Sequence, residues 1–401
     1  MMKSGLFWLI VILGSLAIFS AARMLHARRS PVASPVRFSA ETARNEPLPI
    51  RPLVRALLPL PEARMRWLRG LMRPPPTKRL NSPYCLHVMR VHGRAAPGAD
   101  SSEVDPLRLL TDEGTGRACF GKPAFVRTRS GVRFPTGTLE TVRKDASLEL
   151  HRDQTLAAFS ELGLSLATPL VVGGDRAELR DVLRDSIANF HLAQKELAWT
   201  ALAYALYLPP VRSWTNRFGE SYTFDDLAGA LMDCSLREAS CGGVHLMYTL
   251  TALLRADAQE PVVSAAVRAR LREYLANGVA VATKAQGEDG SWPPTWNTPL
   301  LPEVIREELS PEDTAEARML MTGHLAEWML YLPDGLRPAD DVLRRAAGWL
   351  LAALSAASPA DLERQFCPYS HACCTLRQLC FVPEEVPHDR STSDDRPVRS
   401  H

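Results

Sequence analysis

The chain has 401 residues, 46% of them apolar and 23% charged, with a formal net charge of +2. That length and balance fit one large globular domain or two ordinary ones, and they exclude a chain too polar to build a core. The near-neutral total excludes a dedicated nucleic-acid binder, which needs a concentrated basic surface.

The N-terminus opens with an uncharged run, Gly5 to Ala22, of 18 residues, close to the lower limit for a bilayer span. Lys3 precedes the run, and Arg23, Arg28 and Arg29 follow it. Two readings stand for residues 1–22: an uncleaved single-pass anchor, or a signal peptide cut after Ser20-Ala21-Ala22, which would make the rest secreted or periplasmic. For the anchor, the trailing arginines favour a cytoplasmic C-terminal side. The membrane is therefore the expected partner of this segment.

Residues 23–80 are rich in proline and arginine and read as a linker. Thirteen Lys or Arg and three acids fall between Arg23 and Arg79, so the rest of the chain is net acidic. Within the linker, the stretch Met65 to Arg73 mixes bulky apolar residues with arginines. It suits either the lipid headgroup layer or a short amphipathic helix packed on the domain.

Residues 81–150 read as a small mixed module. His87 and His92 are five apart, which puts them on different faces of a helix or a strand, so they do not form a metal pair. Ala124 to Phe134, with its turn at Arg129-Ser130-Gly131, predicts a β-hairpin.

From residue 151 to 382 the apolar period is near 3.6, and two kinds of segment alternate. Gln154–Leu162, Glu196–Leu208, Gly243–Leu254, Asp313–Leu332 and Ser370–Leu379 are apolar on most faces. Arg176–Phe190, Phe224–Leu236, Val262–Ala285 and Ala339–Ala356 are amphipathic and charged. The pattern predicts a mainly α fold of alternating inner and outer helices, with inner helices too apolar for the exposed face of an open solenoid. Residues 383–401 read as a disordered tail.

Between two of these helices lies Gln286-x-x-x-Gly290-x-Trp292, a glutamine, a tight glycine turn and a tryptophan. It resembles the QW repeat of the squalene–hopene cyclase and protein prenyltransferase superfamily. The resemblance implies an α/α toroid in which the glutamine caps one helix and the tryptophan locks it to the next. Glu312-Asp313-Thr314-Ala315 resembles the tail of the acidic cyclase motif, with Ser310 where that motif starts with aspartate. The prenyltransferase zinc set has no counterpart here.

Three inner segments each carry a histidine: His245, His324 and His371. Glu327 follows His324 by three residues and shares its face. Three functions are open. His245 and His324 with Glu327, joined by His371 or Cys241, would ligate a metal or act as general acid and base on a polar small molecule such as a glycan. Alternatively, Glu312 and Asp313 would protonate an isoprenoid in a cavity lined by Trp199, Tyr204, Tyr248 and Trp328. In the third reading the histidines are structural and the toroid is a binding scaffold. Asp313 and His324 lie roughly 16 Å apart along one helix, so they cannot serve one reacting atom together. No nucleotide-binding loop or nucleophile elbow is present, and the residues name no cofactor or metal. The eight cysteines lack the spacing of a disulfide scaffold and read as mostly free, buried thiols.

Overall fold

The computed structural model describes residues 42–54, 56–71, 80–93, 105–236, 239–300 and 312–380. The predicted span Gly5 to Ala22 and the tail 383–401 lie outside them. Among the described residues no helix is long and apolar enough to cross a membrane.

The molecule is mainly helical. Its N-terminal part holds α1 (Glu62–Gly70), α2 (Ser82–His92), α3 (Pro106–Thr111) and α4 (Glu113–Phe120). A hairpin of β1 (Val126–Arg127) and β2 (Val132–Arg133) follows, then α5 (Leu139–Lys144) and α6 (Gln154–Glu161). A second hairpin, β3 (Pro169–Val172) with β4 (Asp175–Glu178), leads into α7 (Leu179–Ala188) and α8 (Leu197–Tyr207). A third, β5 (Ser213–Thr215) with β6 (Ser221–Thr223), leads into α9 (Phe224–Asp233). The rest is helical: α10 (Val244–Gln259), α11 (Ala265–Ala285), α12 (Ala315–Leu330), α13 (Asp340–Ala356), α14 (Pro359–Arg364) and α15 (Phe366–Cys380).

The alternation of apolar and amphipathic helices is present as read from the sequence. All of α8 is buried, whereas α13 buries a stripe of Val342, Leu343, Ala346, Ala347, Leu350 and Leu354 at spacings of three and four. Each buried Val or Leu of that stripe contributes about 1.5–3 kcal/mol. The second and third hairpins escaped the sequence reading because each is short, and its turn is spliced directly onto a helix start. Helix α7 starts directly after β4, with a capping box made by Glu178 and Asp181.

The apolar helices touch in sequence: α2 meets α6, α6 meets α8, α8 meets α10, α10 meets α12, α12 meets α15, and α15 meets α2. Helix α2, from the stretch read as a small mixed module, packs against two of the five apolar helices expected from the sequence. Its apolar residues Cys85, Leu86, Val88, Met89 and Val91 are all buried.

The described part of the linker is not a free tether. The N–H groups of Arg44 and Leu48 donate to Tyr207 and Leu206 at the end of α8. Those of Leu53 and Leu58 donate to Leu330 at the end of α12 and Leu379 near the end of α15. Carbonyls in a helix's last turn have no intrahelical donor, so an extended proline-containing strap that supplies N–H groups is a C-cap shared by several helices. The proline content reads as a linker in sequence; it also describes an extended chain with donors to spare. Helix α1 packs against α15 with Leu68 buried, which is the amphipathic-helix alternative for that stretch.

The glutamine–tryptophan joint has clear geometry. Gln286 is the C-cap of α11, and its Nε2 donates to Gly290 O at 3.0 Å and to Val342 O in α13 at 2.9 Å. Trp292 is fully buried; its Nε1 donates to Ala282 O at 2.7 Å, and its backbone N–H donates to Thr322 Oγ1 at 2.9 Å. Gly290 has φ of 91°, and a Cβ there would lie 2.5 Å from Arg345 O, so only glycine fits the turn. The joint ties α11, α12 and α13 together.

Candidate functional site

The centre of the site is the contact between α12 and α15. Gly323 makes it close: a Cβ at that position would meet Ala372 N at 2.8 Å, and Thr375 Oγ1 donates to Gly323 O at 2.8 Å. The two helices approach until the His324 and His371 rings are 3.5 Å apart, centroid to centroid. His245, in the first turn of α10, lies 4.7 Å from His324 and 6.1 Å from His371. His87 of α2 joins from the other side, 5.1 Å from His371 and edge-on to it. Four histidines from four apolar helices therefore meet.

Glu327 anchors the cluster. Its Oε2 accepts from His371 Nδ1 at 2.9 Å, and its Oε1 accepts from Arg90 Nη2 at 2.9 Å and from the Cys374 thiol at 3.3 Å. Arg90 also reaches Glu161 at 3.3 Å, so one buried guanidinium faces two carboxyl groups. Burial opposes the Arg90 charge, but Glu161 and Glu327 hold its pKa well above the ordinary value. Burial pushes the Glu161 carboxyl up, and Arg90 pulls it back.

Burial also keeps the imidazoles neutral. His87 is pushed down to about 3, by burial first and by Arg90 second. His245, His324 and His371 lie well below the usual histidine range, again chiefly because the charged form is desolvated. A neutral imidazole keeps one lone pair, which is the form that accepts a proton or binds a metal. His324 Nε2 is buried and has no hydrogen-bond partner. Three sets in this region bring one ligand atom from each member within 4.8 Å of the others: Cys241 with His245 and His324, His324 with Glu327 and His371, and His87 with Cys367 and His371. Those donors suit a divalent transition metal of zinc type. A cavity of about 10 Å³, room for one water or ion, is bounded by Arg90, His245, His324 and Glu327 among others.

Of the residues singled out in the sequence, His245, His324, Glu327 and His371 are brought together. Glu312 and Asp313 are not: both are exposed before α12, and Asp313 is bound through both oxygens by Arg318 at 2.6 and 2.7 Å. Helix α12 begins at Ala315 with Thr314 as its N-cap, so the acidic pair sits outside the helix and clear of the cluster. Tyr204 is also elsewhere, bonded to Ser186 at 3.1 Å and packed against Phe190 and Trp214. Trp199 adjoins the site, 4.3 Å from His245, and Tyr248 and Trp328 line the small cavity beside it, Trp328 also donating its N–H to Thr251 Oγ1.

The sequence reading missed His87, Arg90, Cys367 and Cys374. A signal for two of them was present: His87 and Arg90 are three apart in an otherwise apolar helical stretch, so they share a face. His92 does not share it, as its five-residue offset required. No disulfide is formed among the described residues, and Cys85, Cys373, Cys374 and Cys380 are buried.

Comparison with protein-family models, with curated proteins and with solved structures finds no match to this chain.

Proposed function

We propose that the chain is a membrane-tethered α/α toroid whose inner helices carry a centre for metal-assisted or acid–base chemistry on a polar substrate such as a glycan. The toroid reading is supported by the contact order of the apolar helices, which runs from α2 through α6, α8, α10, α12 and α15 and back to α2. It is supported also by the strap, which receives the C-terminal ends of α8, α12 and α15 and so gives those helices one direction. The tether rests on the apolar run Gly5 to Ala22.

The observation that carries the chemistry is the meeting of His245, His324 and His371 with one of them held by Glu327, in a neutral form and with a buried nitrogen lacking a partner. Elemental analysis of the full-length protein, purified in detergent without chelator, tests the metal-assisted form. About one transition-metal ion per chain is the expected result. Protein that carries none, and takes up none when zinc is added, removes that form and leaves proton transfer by His371 and Glu327.

One observation favours the scaffold reading instead: the cavity at the cluster holds only about 10 Å³, far below the volume of a sugar. An isoprenoid cyclase reading lacks comparable support, because Asp313 is exposed and paired with Arg318.

A further inference from the structure

We propose that His87, Cys367 and His371 form a zinc-type metal site of two imidazoles and one thiolate, with a fourth coordination position left for water or substrate. The proposal deepens the metal-assisted reading above and rests on it. One ligand atom from each of the three residues lies within 4.8 Å of the others, whereas a tetrahedral N₂S site needs about 3.5 Å between ligands. The 4.8 Å figure is an upper bound on each separation, and the proposed ion draws the donors in to the shorter one.

The hydrogen bonds behind the two histidines set their tautomers. Ser370 has one hydroxyl hydrogen, and it donates to Cys367 O at 2.8 Å. The Ser370 oxygen must then accept from His87 Nδ1, 3.0 Å away, which leaves the His87 lone pair on Nε2. Glu327, in an ion pair with Arg90, has no hydrogen to give, so His371 Nδ1 is the donor in their 2.9 Å bond. The His371 lone pair is therefore also on Nε2. A ligating imidazole whose other nitrogen donates to a carboxylate or hydroxyl is the usual outer-shell arrangement of a zinc histidine. Here two adjacent histidines have it, beside a thiol. His87 and Cys367 are partly buried, whereas His371 is buried. Coordination replaces the Cys367 S–H bond with an S–metal bond and releases the proton to solvent, so no oxidant is involved.

Cobalt(II) is the probe, titrated into the full-length chain in detergent after chelator treatment. The expected result is visible d–d absorbance of a four-coordinate ion with a near-ultraviolet thiolate-to-cobalt band. Cys367→Ser abolishes that band, and Cys241→Ser leaves it intact. Ser370→Ala releases the His87 tautomer and weakens cobalt binding by about 10–100-fold. Circular dichroism confirms that each variant is folded; should Cys367→Ser fail that check, Ser370→Ala carries the test. A band lost in Cys241→Ser but kept in Cys367→Ser overturns this site and leaves the metal-assisted reading standing, with the ion at Cys241, His245 and His324. Folded wild-type protein that binds no cobalt overturns both.

Discussion

Two buried polar clusters in this molecule differ in a way that separates structure from chemistry. Around α6 and α7, Glu149 accepts from the backbone N–H groups of Asp153 at 2.9 Å and Thr155 at 3.0 Å. Asp153 accepts from Ser186 and Thr200, and Asp185 accepts from Thr128, Arg133 and Asn189. Acceptors there face donors from the start of α6, the first hairpin, the end of α7 and α8, as expected of groups whose task is to satisfy the fold. Between α2, α10, α12 and α15 the order is reversed. Glu327 is satisfied, but the histidines it organises turn toward one another, and a buried nitrogen of His324 has no partner. A polar group buried without complement costs stability, and the proposed chemistry rests on its lying here beside other ligand-type atoms.

The contrast is open to direct test. Glu327→Ala should have the largest effect, because it strips an acceptor from buried Arg90, His371 and Cys374 together. A loss of about 3–5 kcal/mol in unfolding free energy is expected, read by urea denaturation. A loss below 1 kcal/mol would show that Arg90 rests on Glu161 alone.

Acid should act next, and through the histidine cluster. Above pH 6.5 these imidazoles are neutral whether the chain is folded or not, and their contribution to stability is intact. Below it the unfolded chain takes up protons that the folded chain refuses, down to about 3 for His87. Stability should therefore fall continuously as pH drops from 6.5 toward 3, with His245, His324 and His371 adding in the same direction. Burial raises Glu149 to about 8 and raises Glu161 as well, so these carboxyls oppose the trend over the same range. In Glu149→Gln, a denaturation midpoint that does not fall between pH 7 and pH 5 would contradict neutral histidines in the fold.

Asp185→Ala probes the other cluster. Arg133 is half exposed and returns to water when its partner is removed, so the cost should be about 1–3 kcal/mol, less than for Glu327. Equal losses at the two positions would erase the distinction. The smallest effect belongs to Asp313→Asn, an exposed partner of Arg318, at less than about 0.5 kcal/mol. A large loss of stability there would mean that the acidic pair matters more than its placement allows.

Much of the architecture was legible before any coordinates, for reasons confined to single segments. The alternation of apolar and amphipathic helices follows from local periodicity, and Gln286 to Trp292 carries its own turn and cap. The histidines of α10, α12 and α15 stood out because each is a polar residue in an apolar helix, as does Glu327 one turn after His324. Other features depend on partners far along the chain. The strap of residues 42–54 reads as a linker until the helix carbonyls it caps are known. His87, 284 residues before His371, reads as an isolated histidine until α2 is packed against α15. Glu312 and Asp313 resemble a catalytic pair in sequence, but the helix starts after them and Arg318 holds Asp313 at the surface. Periodicity and capping are properties of neighbouring residues, so the sequence alone determined the helices and their joints. Which lone pairs face one another depends on the crossing of helices distant in sequence, and only the tertiary structure decided that.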